Sequence, residues 1–412
     1  MKKVFIVALI SCFGCLSEKN LDPGTSDTFI KYFNGGFDDT AQDIKATADG
    51  GYILLATTAV RPDEVTAERF KIKLVKTDAF GNLIWQKVYP EYDPDVNATS
   101  PIDSASFRGR SIMILKDGAG LESGYVVVGD SIQNEAAAES HLRIMVTDLD
   151  GNTTLARNFK PNFAVQGKAV AANQSGNFVV LGEAVNTQTT NNMFLAELDQ
   201  NLGVIWTRTY GAGASNLANR LFVNAQSSLF WSGTVTKNNR SDIRFVKTPH
   251  NSENTEFDLP FGSPQFNETG RDICSYGFGF AVIGTTDESG DDDILFKRLS
   301  ENGTELSTMT FGFPGQAENG FSICQARDGG LILLGAVDTN LDIGRGGKDY
   351  FLIKINAFGD TEWTQIFGSK NDDIGASVLA NADGSYVIYG TTVWGGLKTL
   401  SLIKTDAKGN IE

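Results

Sequence analysis

With 50 acidic against 35 basic side chains in 412 residues, the chain carries a formal charge of −15. It has no basic run, which speaks against nucleic acid or another polyanion as its main partner. Its 44 glycines and 27 phenylalanines, without an apolar stripe at helical spacing over several turns, exclude a mainly helical fold and point to strands joined by tight turns.

Residues 1–15, MKKVFIVALISCFGC, combine two lysines, an apolar run and small residues before a cysteine. This is the pattern of a secretory signal, too short to span a bilayer. Leu9-Ile10-Ser11-Cys12 resembles the bacterial lipobox, whose cysteine becomes the lipidated first residue, and Gly14-Cys15 is a second candidate. The motif favours Cys12, whereas signal length favours Cys15. Export to the outer membrane or cell surface with attachment through lipid only is therefore expected, and simple secretion is the alternative. Residues 16–27 are polar, with Pro23 and Gly24, and read as a tether.

The folded part, 28–412, is repetitive. Its first full unit reads AQDIKATADGGYILLATTAV, a variable loop, then FKIKLVKTDAFGNLIWQKVYP. Four strands in a meander are predicted: 42–47, a DGG turn, 52–58, then 71–77, and a fourth strand after Phe80-Gly81-Asn82. Gly and Asn accept the positive φ angles that such short links require. The glycine of each second strand recurs at Gly129, Gly182, Gly233, Gly284, Gly335 and Gly390, with Ala56 in the first unit, so the period is about 51 residues. These glycines are expected to allow close approach of a neighbouring strand. Cys274 and Cys324 fall at one place in adjacent repeats, RDIC and FSIC. Equivalent positions in neighbouring blades should exceed the roughly 7 Å Cα limit for a disulfide, so two buried thiols are expected and a bridge is the alternative.

The chain opens with the last strand of a unit. Residues 28–39, TFIKYFNGGFDD, match 362–373, EWTQIFGSKNDD, and the seventh unit stops where its own fourth strand should follow. A linear array would need polar caps, whereas splitting one unit between the two ends describes a ring, with Phe29 expected beside Ile403. The expected fold is all-β, a seven-bladed β-propeller of four-stranded blades closed by the N-terminal strand. Trp85, Trp206, Trp363 and Phe29, on outer strands, are expected to fill the wedge between blades.

At DGGYILLATT, VKTDAFGNLIWQKVY, DGGLILLG and IKTDAKGN the sequence resembles bacterial β-propeller repeats of the SBBP type and the similar DGGY-repeat lipoproteins of Bacteroidota surfaces. The resemblance covers residue 28 to the C-terminus and is weakest in the fourth unit, where Gln226-Ser227-Ser228 replaces DGG and Pro249-His250-Asn251-Ser252 replaces the glycine turn. It implies fold and export, and brings no catalytic residues with it.

In such a meander the first-to-second and third-to-fourth turns share one face of the ring, where they are short and uniform. The other loops share the opposite face and vary, which is where recognition is built. The longer ones, 59–69, 90–107, 131–140 and 337–349, with the short 393–398, belong to the contiguous blades 6, 7, 1 and 2. Trp394, beside Gly395-Gly396, is a candidate stacking platform for a sugar or other ring, or else a loop anchor packed on its own blade. Arg61, Arg69, Arg345 and Lys348 are candidate contacts to carboxylates or hydroxyls, or scattered surface charge. Asp291, Asp292 and Asp293, in DESGDDD, could hold a hard cation through oxygen ligands. They miss the calcium-loop spacing, and a solvated acidic loop explains them as well. No cofactor is expected.

Only two histidines exist, His141 and His250, and HExxH and GxSxG are absent. The leading expectation is a non-enzymatic exported binding or scaffold module, whose partner is a glycan, another small molecule or an outer-membrane protein complex. The alternative is a polysaccharide-acting hydrolase or lyase using carboxylates at the ring axis.

Overall fold

The computed structural model describes residues 28–411 apart from 61–68, 91–104, 133–139, 186–190, 212–213, 225–227, 250–254 and 340–345. Cys12, Cys15 and the tether lie outside the described residues. Among those described, every regular element is a strand, and the strands form seven four-stranded antiparallel sheets. First strands touch one another in a closed circuit, blade 1 to 2 and onward to 7 and back to 1, so the sheets are blades of a seven-bladed β-propeller.

Six blades follow chain order from the axis outward. The seventh joins Asp373–Ala380, Tyr386–Trp394 and Leu397–Thr405 to the N-terminal strand Phe29–Phe33. Phe29 pairs with Lys404 and Ile30 with Ile403, one position from the expected register. Second and third strands have a blade on either side. Tyr52–Val60, for example, is buried along nearly its whole length, hence the continuous apolar runs.

The first strand of blade 1 spans Asp39–Ala46 and so begins three residues before its predicted start. Asp39, expected at the end of the closing segment 28–39, and Thr40, expected between that segment and the next strand, instead pair with Thr58 and Thr57. Asp39 is buried against Lys73 Nζ at 2.6 Å, which a polar pattern conceals. Every first strand also carries a β-bulge, at Gln42, Arg110, Lys168, Asn219, Arg271, Phe321 and Ala376 in blades 1 to 7. Opposite the bulge stands the second-strand glycine. A Cβ on Gly284 would sit 1.7 Å from the Thr269 carbonyl oxygen, so the expected close approach is to the strand within the same blade.

Blades are joined by repeated polar links. Thr57 Oγ1 donates to the Gly109 carbonyl of the next blade at 3.3 Å, and the Ala41 amide donates to Thr391 Oγ1 at 2.9 Å across the closure. Third-to-fourth turns lean on the preceding blade. Gly151, at φ +78°, lies so close to Trp85 that a Cβ would come within 2.7 Å of the ring. Asn152 in the same turn accepts from Lys87 Nζ at 2.6 Å. Trp363 meets Gly409 and Phe29 meets Gly81 in the same way, so these outer aromatics do fill the wedge. Cys274 and Cys324 are free thiols, and burial pushes Cys324 up to about 12 and Cys274 well above its ordinary value.

Candidate functional site

The site grows from blade 7, where the closing strand meets the blade's own hairpin. Trp394 is the last residue of the second strand and pairs with Leu397 across Gly395 and Gly396. Those two residues adopt φ +61° and +84°, the geometry a two-residue hairpin turn needs. Trp394 is therefore a strand-end residue and not part of a 393–398 loop: paired glycines let the ladder run to the turn.

Its indole stacks on Tyr32 of the closing strand, with ring centroids 5.4 Å apart and planes inclined by 26°. This is contact within its own blade, as an anchor would make. Yet Trp394 remains 59% exposed and Tyr32 46% exposed. The pair borders a cleft of about 470 Å³ between blades 6 and 7, whose wall includes Ile30, Ile366, Tyr350, Ser369, Ser401 and Asp373. The Tyr350 hydroxyl is hydrogen-bonded to Ser401 Oγ at 2.6 Å, which fixes both.

Asp373 is buried at the base of this cleft and accepts from the Ser369 amide at 2.6 Å. Burial raises its pKa, and the neighbouring Asp349 carboxylate adds to the shift. Tyr32 is raised in turn by burial and by the charge of Asp373. The cleft thus offers two aromatic rings, hydroxyls and an acid inclined to hold its proton, a set suited to a ring bearing hydroxyl groups.

Of the other predicted residues, the two that are described, Arg69 and Lys348, are not among those lining the Trp394 cleft. Arg61 and Arg345 lie outside the described residues. Arg69 begins the third strand of blade 1, opposite Val60. Lys348, in blade 6, has its ammonium 3.5 Å from Asn319 Oδ1 and donates its backbone amide to Asp372.

Asp291, Asp292 and Asp293 do not converge on a common point. Asp291 and Asp292 are exposed, and Asp292 Oδ2 accepts from Asn319 Nδ2 at 3.3 Å. Asp293 turns to the carboxyl of Glu318 in blade 6, and Glu318 is pushed up to about 7, first by burial and then by Asp293. Among the described residues no group of three or more His, Cys, Asp or Glu side chains could hold a metal ion.

Tyr32 and Asp373 escaped the sequence reading. The position matching Tyr32 in the 362–373 segment is Ile366, so an aromatic there departs from the repeat, which was the available signal. Asp373 belongs to a repeated acidic position at the start of first strands, shared with Asp39, Glu268 and Glu318, and that column was the available signal.

No protein-family model matches the chain, and no curated protein matches it. Solved structures do. A puromycin hydrolase S511A mutant complexed with PGG superposes with a TM-score of 0.54 at 13% identity, over 90% of this chain and 53% of that one. Sqt1 from Chaetomium thermophilum, bound to the N-terminus of ribosomal protein L10, gives 0.50 at 11% identity, over 91% and 98% of the two chains. This chain spans about half the length of the puromycin hydrolase chains it matches. At such identity the likeness is one of fold.

Proposed function

We propose that this protein is an exported, lipid-anchored propeller that binds a glycan or similar ring-bearing ligand in the cleft between blades 6 and 7 without transforming it. The observation that carries the reading is the Tyr32–Trp394 pair, two stacked aromatics left about half exposed beside buried hydroxyls and Asp373. A folded chain ordinarily buries such rings, and surface aromatics bordering a concave polar wall are what sugar rings stack upon. The signal-like segment with Cys12 and Cys15, and the resemblance to DGGY-repeat surface lipoproteins, support export and anchoring. A lipid chain holds a protein at a membrane without a spanning helix.

The test is a glycan array probed with wild type, Trp394→Ala and Tyr32→Ala. Binding to a defined glycan by wild type, reduced at least about tenfold (about 1.4 kcal/mol) in both variants, is expected. Equal retention by wild type and Trp394→Ala would sink the reading. One observation favours the alternative of a polysaccharide-acting enzyme: Asp373, with its raised pKa beside Asp349, has the protonation tendency of a general acid. Product release from the captured glycan, abolished in Asp373→Asn, would decide for that alternative. Docking to an outer-membrane complex would instead show as stoichiometric recovery of a partner from gently solubilised membranes.

A further inference from the structure

The seven bulge residues share a property that packing does not explain. In each first strand the residue before the bulge is Gly or Ala, where a Cβ meets the preceding blade or would crowd it. A Cβ on Gly109, for instance, would lie 2.7 Å from Leu55. The residue after the bulge is tied to its surroundings as well. Asp43 accepts from Ser111 Oγ and the Ile112 amide of the next blade at 3.2 and 3.1 Å. Asp272 accepts from Ser322 Oγ and the Ile323 amide at 2.8 and 3.1 Å. The bulge residue itself is free to vary, and it reads Gln, Arg, Lys, Asn, Arg, Phe, Ala around the ring.

All seven bulge residues line one cavity of about 360 Å³, to which every first strand contributes, so it lies on the axis. Its cations occupy consecutive blades: Arg110 in blade 2, Lys168 in blade 3, Arg220 in blade 4 and Arg271 in blade 5. Phe321 and Ala376, in blades 6 and 7, make the facing wall apolar. A cationic arc stands out in a chain whose net charge is −15.

The cations are braced from behind. Asp130, fully buried, holds Arg110 at 3.2 Å, and buried Glu183 stands 3.4 Å from Lys168. Arg220 Nε is 3.0 Å from Asp272, with Asp43 at 3.8 Å from the same guanidinium. The side chains of Arg110 and Arg220 nevertheless stay 30% and 31% exposed, while the carboxylates beneath them are almost completely buried. Arg271 is exposed, and its side chain has no hydrogen bond or ion pair among the described residues. Four cationic residues therefore line the cavity, whereas of the bracing carboxylates Asp43, Asp130 and Glu183 lie outside its lining and Asp272, which does line it, is buried.

We infer that this axial cavity is a second binding site, distinct from the Tyr32–Trp394 cleft, for a small organic anion carrying more than one carboxylate. Arginine forks match carboxylates in pairs, and an arc spread over four blades suits separated acidic groups better than one compact charge. The apolar wall at Phe321 would take the carbon skeleton. The volume is near the small end of ligand pockets, which fits a metabolite-sized molecule.

Titration calorimetry of the purified protein at low ionic strength, with citrate, acetate and inorganic phosphate as probes, tests this. Citrate is expected to bind, more weakly as salt screens the arc, and more tightly than acetate or phosphate. Arg271→Gln, which changes a side chain with no hydrogen bond or ion pair among the described residues, should fold normally and lose about tenfold in citrate affinity, whereas Trp394→Ala should leave it unchanged. No citrate binding up to about 10 mM, or equal affinities in wild type and Arg271→Gln, would overturn the site. Phosphate or acetate binding as tightly as citrate would overturn the assignment to polycarboxylates. Loss of citrate binding in Trp394→Ala would place the anion in the other cleft and overturn the axial site.

Discussion

Among single residues, Glu318 makes the clearest statement about pH. Its carboxyl lies buried beside Asp293, and burial and that neighbour push it up to about 7 against the pull of the Phe313 amide. An unfolded glutamate titrates near 4.3. Between those values the native protein holds a proton that the unfolded chain has released, so Glu318 contributes most below about pH 4.3 and loses its contribution as pH rises towards about 7. Asp373, also raised, acts in the same direction. Glu318→Gln keeps the neutral form at every pH. It should flatten the decline in melting temperature between pH 5 and 8 and raise Tm at pH 8 by about 1–3 °C. An unchanged slope in the variant would show that the pair does not share a proton. Residues of this kind were hard to read from sequence, because a glutamate at a strand start looks solvated until the preceding blade is laid against it. Trp394 was legible because two glycines beside an aromatic mark a turn, whereas its partner Tyr32 stands 362 positions away in the chain.

At the level of elements, the closing strand Phe29–Phe33 is the one non-local piece in an otherwise sequential meander. It supplies the outer edge of blade 7, covers the third strand Leu397–Thr405, and carries Phe29 onto Gly81 of blade 1 and Tyr32 onto Trp394. Deleting residues 28–39 would expose the ladder of Leu397–Thr405 and remove Asp39, leaving Lys73 buried without its 2.6 Å partner. Breaking a buried ion pair alone costs about 3–5 kcal/mol. The deletion should lower Tm by at least about 5 °C in a thermal melt. A variant that melts with wild type would contradict closure by this strand. The strands themselves were legible from alternation and turn chemistry. Their bulges were not, because the extra residue changes register without changing composition: Gln42 and Ala376 occupy equivalent positions and share no chemistry.

At the level of the whole molecule, each blade packs on two neighbours and the circuit has no free end, so loss of one contact is felt around the ring. The outer aromatics are suitable probes. Trp85 rests on blade 2 through Gly151, and Trp363 rests on blade 7 through Gly409. Trp85→Ala and Trp363→Ala should each cost about 2–3 kcal/mol, somewhat less than a fully buried tryptophan. Each should shift one shared calorimetric transition by a few degrees. Two resolved transitions would instead mean that arcs of the ring unfold separately. The same closed circuit creates the axis, where one side chain from each blade meets the others.

From the sequence alone came the number of blades, the four-strand order and the closing of the ring by the N-terminal segment. These depend on periodicity, turn residues and chain order, which act locally and repeat. The axial arc and the cleft between blades 6 and 7 were decided by tertiary structure. Arg110, Lys168 and Arg271 are themselves the extra residues of their strands and Arg220 directly follows one, so the four become one surface only when the bulged inner strands gather around the axis. Tyr32 meets Trp394 only when strand Phe29–Phe33 docks beside Leu397–Thr405. Both sites are made by register and closure, which bring distant residues together through backbone pairing that no single stretch of sequence encodes.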